Sequence, residues 1–152
     1  MTDSPQVLRL WIRPAPEAPP EERDALALEA GAGVVGDHTF GRMRHVTIVF
    51  EDDWNRAAAT LGPDPVDPAG RRANVLVSGG GGADWIGRTV RLGDAVVRIK
   101  AETAPCPVME RAAKGMMKAL EPDAGAGVWG RVETSGRVAV GAVLAVDEGA
   151  DA

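Results

Sequence analysis

The sequence predicts a mainly β fold, a closed or nearly closed β-barrel plugged or covered by a few short helices. Three observations carry this expectation. The apolar runs are short and Val-rich, as in "HVTIVF" and "ANVLVSG". Glycine, at 19 residues, and proline, at 11, interrupt them too often for a helical bundle. The runs also follow one another in a near-continuous meander, and closing such a sheet removes its exposed edges.

The elements can be justified in order. "VLRLWIR", Val7 to Arg13, alternates as a strand with Leu8, Leu10 and Ile12 on one face, and "PAPEAPP" ends it because proline has no N–H for a ladder. "DALALEAGAG" reads as a strand from the period-two placing of Leu26 and Leu28, although its propensity also suits a helix. "HVTIVF" is a strand. "EDDWNRAAATLG" is a short helix whose acidic opening suits the positive end of the macrodipole, with Gly62 as its stop. "PDPVDPAG" is a surface loop, and the run containing Asn74 to Val77 is a central, buried strand.

"RTVRLGDAVVRIKA" is a hairpin turning at Gly93-Asp94, residues that tolerate a positive φ. "PVMERAAKGMMKAL" predicts a helix from Pro107 to Leu120 with its Met face on the body. "VWGRVETSGRVAVGAVLAV" predicts a second hairpin with its turn at Thr134-Ser135-Gly136.

A chain of 152 residues fits one domain, 1–152, with the ordered barrel over 7–147 and a tail at 148–152. The net charge of −5 argues against affinity for nucleic acid or an anionic membrane surface. A single cysteine excludes an intrachain disulfide, and the start lacks the order of a secretory signal, so the expected compartment is the cytoplasm. Its apolar runs are strand length, too short to cross a bilayer as helices.

Several familiar motifs fail on context. "GADWIGRT" has P-loop spacing, but Arg88 replaces the lysine and a strand follows where a helix should start. "SGGGG", Ser78 to Gly82, lacks the full dinucleotide-loop spacing. A cysteine-type zinc site is impossible with one thiol, and nothing in the sequence shows that Asp37, His38 and His45 converge on a metal. No serine sits in a nucleophile elbow.

Two segments suggest chemistry. In "TAPCPVMERA" the only cysteine, Cys106, lies between two prolines. With Pro107 as the first helical residue it takes the N-cap, a position that favours thiolate over thiol. The competing reading is a small apolar residue that starts the core face of Met109, Met116 and Leu120. In "GRRANVLVSG", Arg71 and Arg72 precede Asn74 and would place a fork of donors, suited to phosphate, at the barrel rim. The competing reading there is a solvated pair of charges.

Taken together, "GVVGDHTFGRMRHVTIV", "RRANVLVSGG", "WIGRTVRLGDAVVRI", "APCPVM" and "GVWGRVETSGRVAVGAVLAV" resemble the MOSC domain, the module named for the C-terminal domain of molybdenum-cofactor sulfurase. The resemblance spans most of the chain and implies a pyruvate-kinase barrel-like β-barrel binding a molybdopterin-type molybdenum cofactor. It implies Cys106 as metal ligand or sulfur carrier, and Arg71, Arg72, Asn74, Asp37, His38, Arg44 and Thr47 as cofactor-binding residues. Two positions depart from the family pattern: Gly36-Asp37-His38 lacks an arginine, and Gly141-Ala142 replaces a Gly-Asp.

By the same resemblance the function is a molybdenum-dependent reductase of N-hydroxylated compounds, served by an electron-donor protein. The alternatives are a non-catalytic carrier of sulfur or cofactor delivering to a partner enzyme, and a barrel acting by interaction alone. Pyridoxal phosphate belongs to the sulfurase family's separate aminotransferase-like domain and is not expected here.

Overall fold

Residues 4–147 are described by a computed structural model; the expected tail at 148–152 lies outside them. In chain order the strands are β1 (Val7–Ile12), β2 (Glu21–Arg23), β3 (Ala25–Glu29), β4 (Gly33–Val34) and β5 (Val46–Phe50), followed by helix α1 (Glu51–Ala59) and β6 (Val75–Val77). Then come β7 (Thr89–Leu92), β8 (Ala95–Glu102), helices α2 (Pro107–Ala112) and α3 (Met116–Ala119), β9 (Val128–Thr134), β10 (Gly136–Ala139) and β11 (Leu144–Val146). The protein is mainly β with a few short helices, as its punctuated apolar runs require.

An eight-stranded sheet runs β11-β7-β8-β9-β5-β6-β1-β2, and a three-stranded sheet runs β10-β3-β4. The ladders therefore do not close the sheet on itself, so of the closed or nearly closed barrel that the meander suggested the closed form is not found. The larger sheet has two ends, β11 and β2. One isolated bridge, Gln6 to Val143, brings the chain before β1 to the chain before β11. The second expected hairpin also fails to form. β9 pairs with β5 and β8, whereas β10 crosses to β3, with Gly136 opposite Leu28. Ser135 Oγ at the corner accepts the Ala30 N–H at 2.8 Å, so the residue expected in a tight turn instead ties the two sheets together.

β6 lies in the sheet interior between β1 and β5, as its all-apolar run predicts. It is parallel to β5. A parallel pair needs a crossover, and α1 with the loop up to Arg71 supplies it. β1 departs from simple alternation: a register shift between Val7 and Arg9 sends Leu10 and Ile12 to the main core but Leu8 and Trp11 to a second cluster. A bulge inserts one residue and inverts the parity of what precedes it.

That second cluster fills the space between the outer face of the sheet and the helices, through Val49, Trp54, Leu76, Met109, Met116 and Leu120. The single helix expected from Pro107 to Leu120 is two helices. Gly115 stands at φ +90, and the Glu110 carboxylate accepts the N–H groups of Gly115 and Met117 at 3.0 and 2.9 Å. An acceptor reaching back to free N–H groups starts a new helix instead of continuing the old one. The Met face still packs on the body. Met109, Met116 and Leu120 are completely buried.

Candidate functional site

The site is assembled on the end of β1, the start of β5, the turn before β6 and the segment joining β8 to α2. A cavity of about 220 Å³ there is lined by Cys106, Thr103, Ala104 and Met109 on one side and by Arg13, Thr39, Arg44, Thr47 and Arg71 on the other. Of the cofactor-binding residues expected from the family, Arg44, Thr47 and Arg71 line it together with Cys106. Asp37 and Asn74 lie behind its wall. Arg72 and His38 do not line it.

Asn74 is the centre of that wall. It is completely buried, and its Oδ1 accepts from the Thr47 N–H, the Thr47 hydroxyl and Arg13 Nη2 at 3.1, 3.2 and 3.3 Å. Its Nδ2 donates to the Trp11 carbonyl and to Asp37 Oδ1. With those partners engaged it has no amide hydrogen left for a ligand, so its contribution is to fix Thr47 and Arg13.

Asp37 accepts from the Arg13 guanidinium and backbone and from the Thr39 hydroxyl. Burial pushes its carboxyl up, but Arg13 and Thr39 outweigh that and hold it at about 2. Asp37 is thus a charged strut. It is not free to ligate a metal.

Arg71 is the exception to this saturation. It is 5% exposed, its Nε donates to the Ala126 carbonyl, and its Nη2 has no partner. Thr103 Oγ1 is likewise buried and unpartnered. Burial, and then the charge of Arg13, press the Arg71 guanidinium down to about 10, which still leaves it cationic at neutral pH. A buried donor without a partner is costly, and native structures rarely keep one without a ligand, water or ion to meet it.

Arg72 turns away because it stands in the left-handed region at φ 60, and its Nη2 donates to the Pro16 carbonyl. His38 sits beside the cavity; burial, with help from Arg13, lowers its pKa.

Cys106 is the N-cap of α2 with Pro107 in the first turn, as its flanking prolines suggest. Its backbone carbonyl accepts the Met109 N–H, and its sulfur makes no capping bond. The side chain is only partly buried, with one flank on the Met cluster and the other open to the cavity. A wholly buried core cysteine is excluded.

Sequence reasoning missed Arg13, Thr39 and Thr103. They come from distant segments, and only Thr103, beside the Pro-Cys-Pro run, carried a local signal.

The motifs discounted in the sequence stay discounted. The Gly81 and Gly82 N–H groups of the glycine loop both donate to Asp53, leaving none of that pair for a phosphate. His45 Nδ1 accepts the Val132 N–H, and among the described residues Asp37, His38 and His45 form no cluster that could hold a metal. Among the described residues no cluster of His, Cys, Asp or Glu could hold a metal by itself, and no helix is long and apolar enough to cross a membrane.

A family model, the MOSC domain, matches residues 35–145, most of the chain and nearly all of the cavity's lining. The chain belongs to the MOSC domain family. Its fold is similar to the YUAD protein from Bacillus subtilis at TM-score 0.81 and 20% identity, covering 93% of this chain and 94% of that one. YiiM from Escherichia coli superposes at TM-score 0.71 and 18% identity, covering 95% of this MOSC chain and 70% of that one. YiiM from Geobacillus stearothermophilus gives 0.73 and 16%, covering 93% and 74%. No curated protein matches.

Proposed function

We propose that this MOSC protein binds a molybdenum cofactor of the molybdopterin type, with Cys106 as the sulfur ligand of the metal, and acts as a two-electron reductase. The observation that carries the reading is the half-open Cys106 side chain sharing one small cavity with Arg71, whose Nη2 has no partner. A soft thiolate suits molybdenum, and a surplus of donors suits an anionic group. The residues present therefore fit the cofactor.

At about 220 Å³ the cavity lies below the roughly 300–1,000 Å³ that drug-sized ligands fill, so it would hold only part of such a cofactor. Arg72 and Arg42, both near enough to act on His38, would hold the phosphate outside it. When bound, the metal supplies the electron-pair chemistry. The chain's own residues hold and orient: Asn74 and Asp37 lock Arg13, the Asn74 amide fixes Thr47, and Met109 closes the apolar side.

The test is elemental analysis with pterin fluorescence on protein made in a host that synthesises the cofactor. Near-stoichiometric molybdenum and pterin are expected. Absence of both in fully folded protein would overturn the reading.

A further inference from the structure

Nothing so far gives Arg71 Nη2 and Thr103 Oγ1 a partner. In a protein of net charge −5, the cavity has Arg13, Arg44 and Arg71 on its walls and, among the described residues, no carboxylate in its lining. Asp37 neutralises Arg13 from behind. Arg44, stacked over the Trp129 ring, and Arg71 have no ion-pair partner among the described residues.

A cofactor with its metal at Cys106 and its phosphate at the far end cannot place both in one cavity of this size. The phosphate end is therefore not what meets the buried donors beside the sulfur.

We infer that Arg71 Nη2 and Thr103 Oγ1 form a seat for a small free oxyanion beside Cys106, and that the substrate this site accepts is an oxyanion. The inference rests on the proposed reading only for the word substrate; the seat itself belongs to the cofactor-free chain. Guanidinium and hydroxyl donors in a site partly shielded from water bind oxygen anions strongly, and the missing carboxylate leaves a cation nothing to pair with.

Alkylation of Cys106 in metal-free protein reads this directly. Anionic iodoacetate and neutral iodoacetamide are compared at Cys106 and at free glutathione, with modification followed by mass spectrometry. The rate ratio at Cys106 should favour iodoacetate relative to glutathione. Sulfate should slow both reagents saturably, while chloride at equal ionic strength should not.

Thr103→Val, which keeps shape but removes the hydroxyl, should weaken sulfate protection about tenfold, the worth of one hydrogen bond to a charged group. Arg71→Gln should abolish the protection. If that variant fails to fold, a saturable rise in the wild-type melting temperature with sulfate replaces it.

A phosphomonoester is the second arm: protection by the ester and not by sulfate would make the corner a cofactor-phosphate seat and overturn the inference. A glutathione-like ratio with no saturable protection would overturn it too. Molybdenum content of separately loaded protein judges the cofactor reading, so the two can fail independently.

Discussion

Arg13 binds Asp37 through both its backbone and its side chain: N–H to Oδ1 at 2.8 Å, Nε to Oδ1 at 3.2 Å and Nη2 to Oδ2 at 2.9 Å. The carboxyl side chain has no exposure, so the pair sits in a low-dielectric wall where breaking it is costly.

Asp37 sets the first prediction. Its carboxyl is held at about 2 in the fold, below its ordinary value of 3.8. Its contribution is therefore complete above pH 4 and is lost as pH falls toward 2, on the order of 2 kcal/mol. Asp37→Asn should flatten that acid limb in urea titrations. At neutral pH it should cost about 3 kcal/mol by leaving Arg13 buried without its counter-charge. An acid limb unchanged in the variant would show that another carboxylate sets it.

Asn74 gives a second, with a distinctive sign. Asn74→Leu should cost about 3 kcal/mol or more, because it strands the Arg13, Thr47 and Trp11 groups that the amide now satisfies. Asn74→Asp places a second carboxylate beside Asp37 and raises the pKa of the pair. Its destabilisation should shrink as pH falls, the reverse of the wild type. Denaturation midpoints at pH 7 and pH 4 decide it.

How much of this was legible in the sequence depends on how local each cause is. The turn at Gly93-Asp94 between β7 and β8, the helix α1 and the N-cap position of Cys106 each follow from a few adjacent residues, and the structure has all three. The exchange of β10 from β9 to β3 follows from long-range pairing that no short window contains. The Leu8 parity needs the bulge. Arg71 and Arg72 read as one fork of donors, and no local signal separates them. One left-handed residue turns Arg72 to Pro16 and leaves Arg71 on the cavity.

For Cys106→Ser, the serine keeps the size and the cap but removes the soft ligand. Stability should change by less than about 0.5 kcal/mol, as for a partly exposed position without special contacts. Molybdenum retention should be lost. Full metal content in the serine variant would relegate Cys106 to packing.

His45 predicts a second pH dependence near neutrality. Burial, then Arg131, lowers its pKa, and its Nδ1 must stay unprotonated to accept the Val132 N–H at 2.9 Å. A depressed group contributes stability above its unfolded value near 6.5 and loses it as pH falls. Unfolding midpoints should drop between pH 7.5 and pH 5.5, and His45→Asn should reduce the slope. His38 shifts in the same direction, so the comparison belongs in a His38→Gln background. An equal slope with and without His45 would count against this account.

Gly127 is the backbone on which the cavity rests. It stands at φ +96, and a Cβ there would collide with the Ile48 carbonyl oxygen. Its own carbonyl accepts the Thr103 N–H at 2.9 Å, and the preceding carbonyl accepts Arg71 Nε. Gly127→Ala should cost about 4 kcal/mol or more. In any folded fraction it should also alter the rate of Cys106 alkylation. A variant with wild-type stability would mean that the turn has room the structure does not show.

The crossing of β10 to β3 also sets an order of events on the ribosome. β3 is made first, but the Ser135 hydroxyl that caps the join, and β10 behind it, emerge 105 residues after Ala30. The Ala126 carbonyl that orients Arg71 is late as well. Until then β3 has only the two-residue β4 beside it and Arg71 is a loose cation, and topologies built from such distant pairings fold slowly and stay open to aggregation. The pocket therefore cannot form until the residues from Ala126 to Ser135 have been made, and any ligand that belongs there has to be loaded after that point.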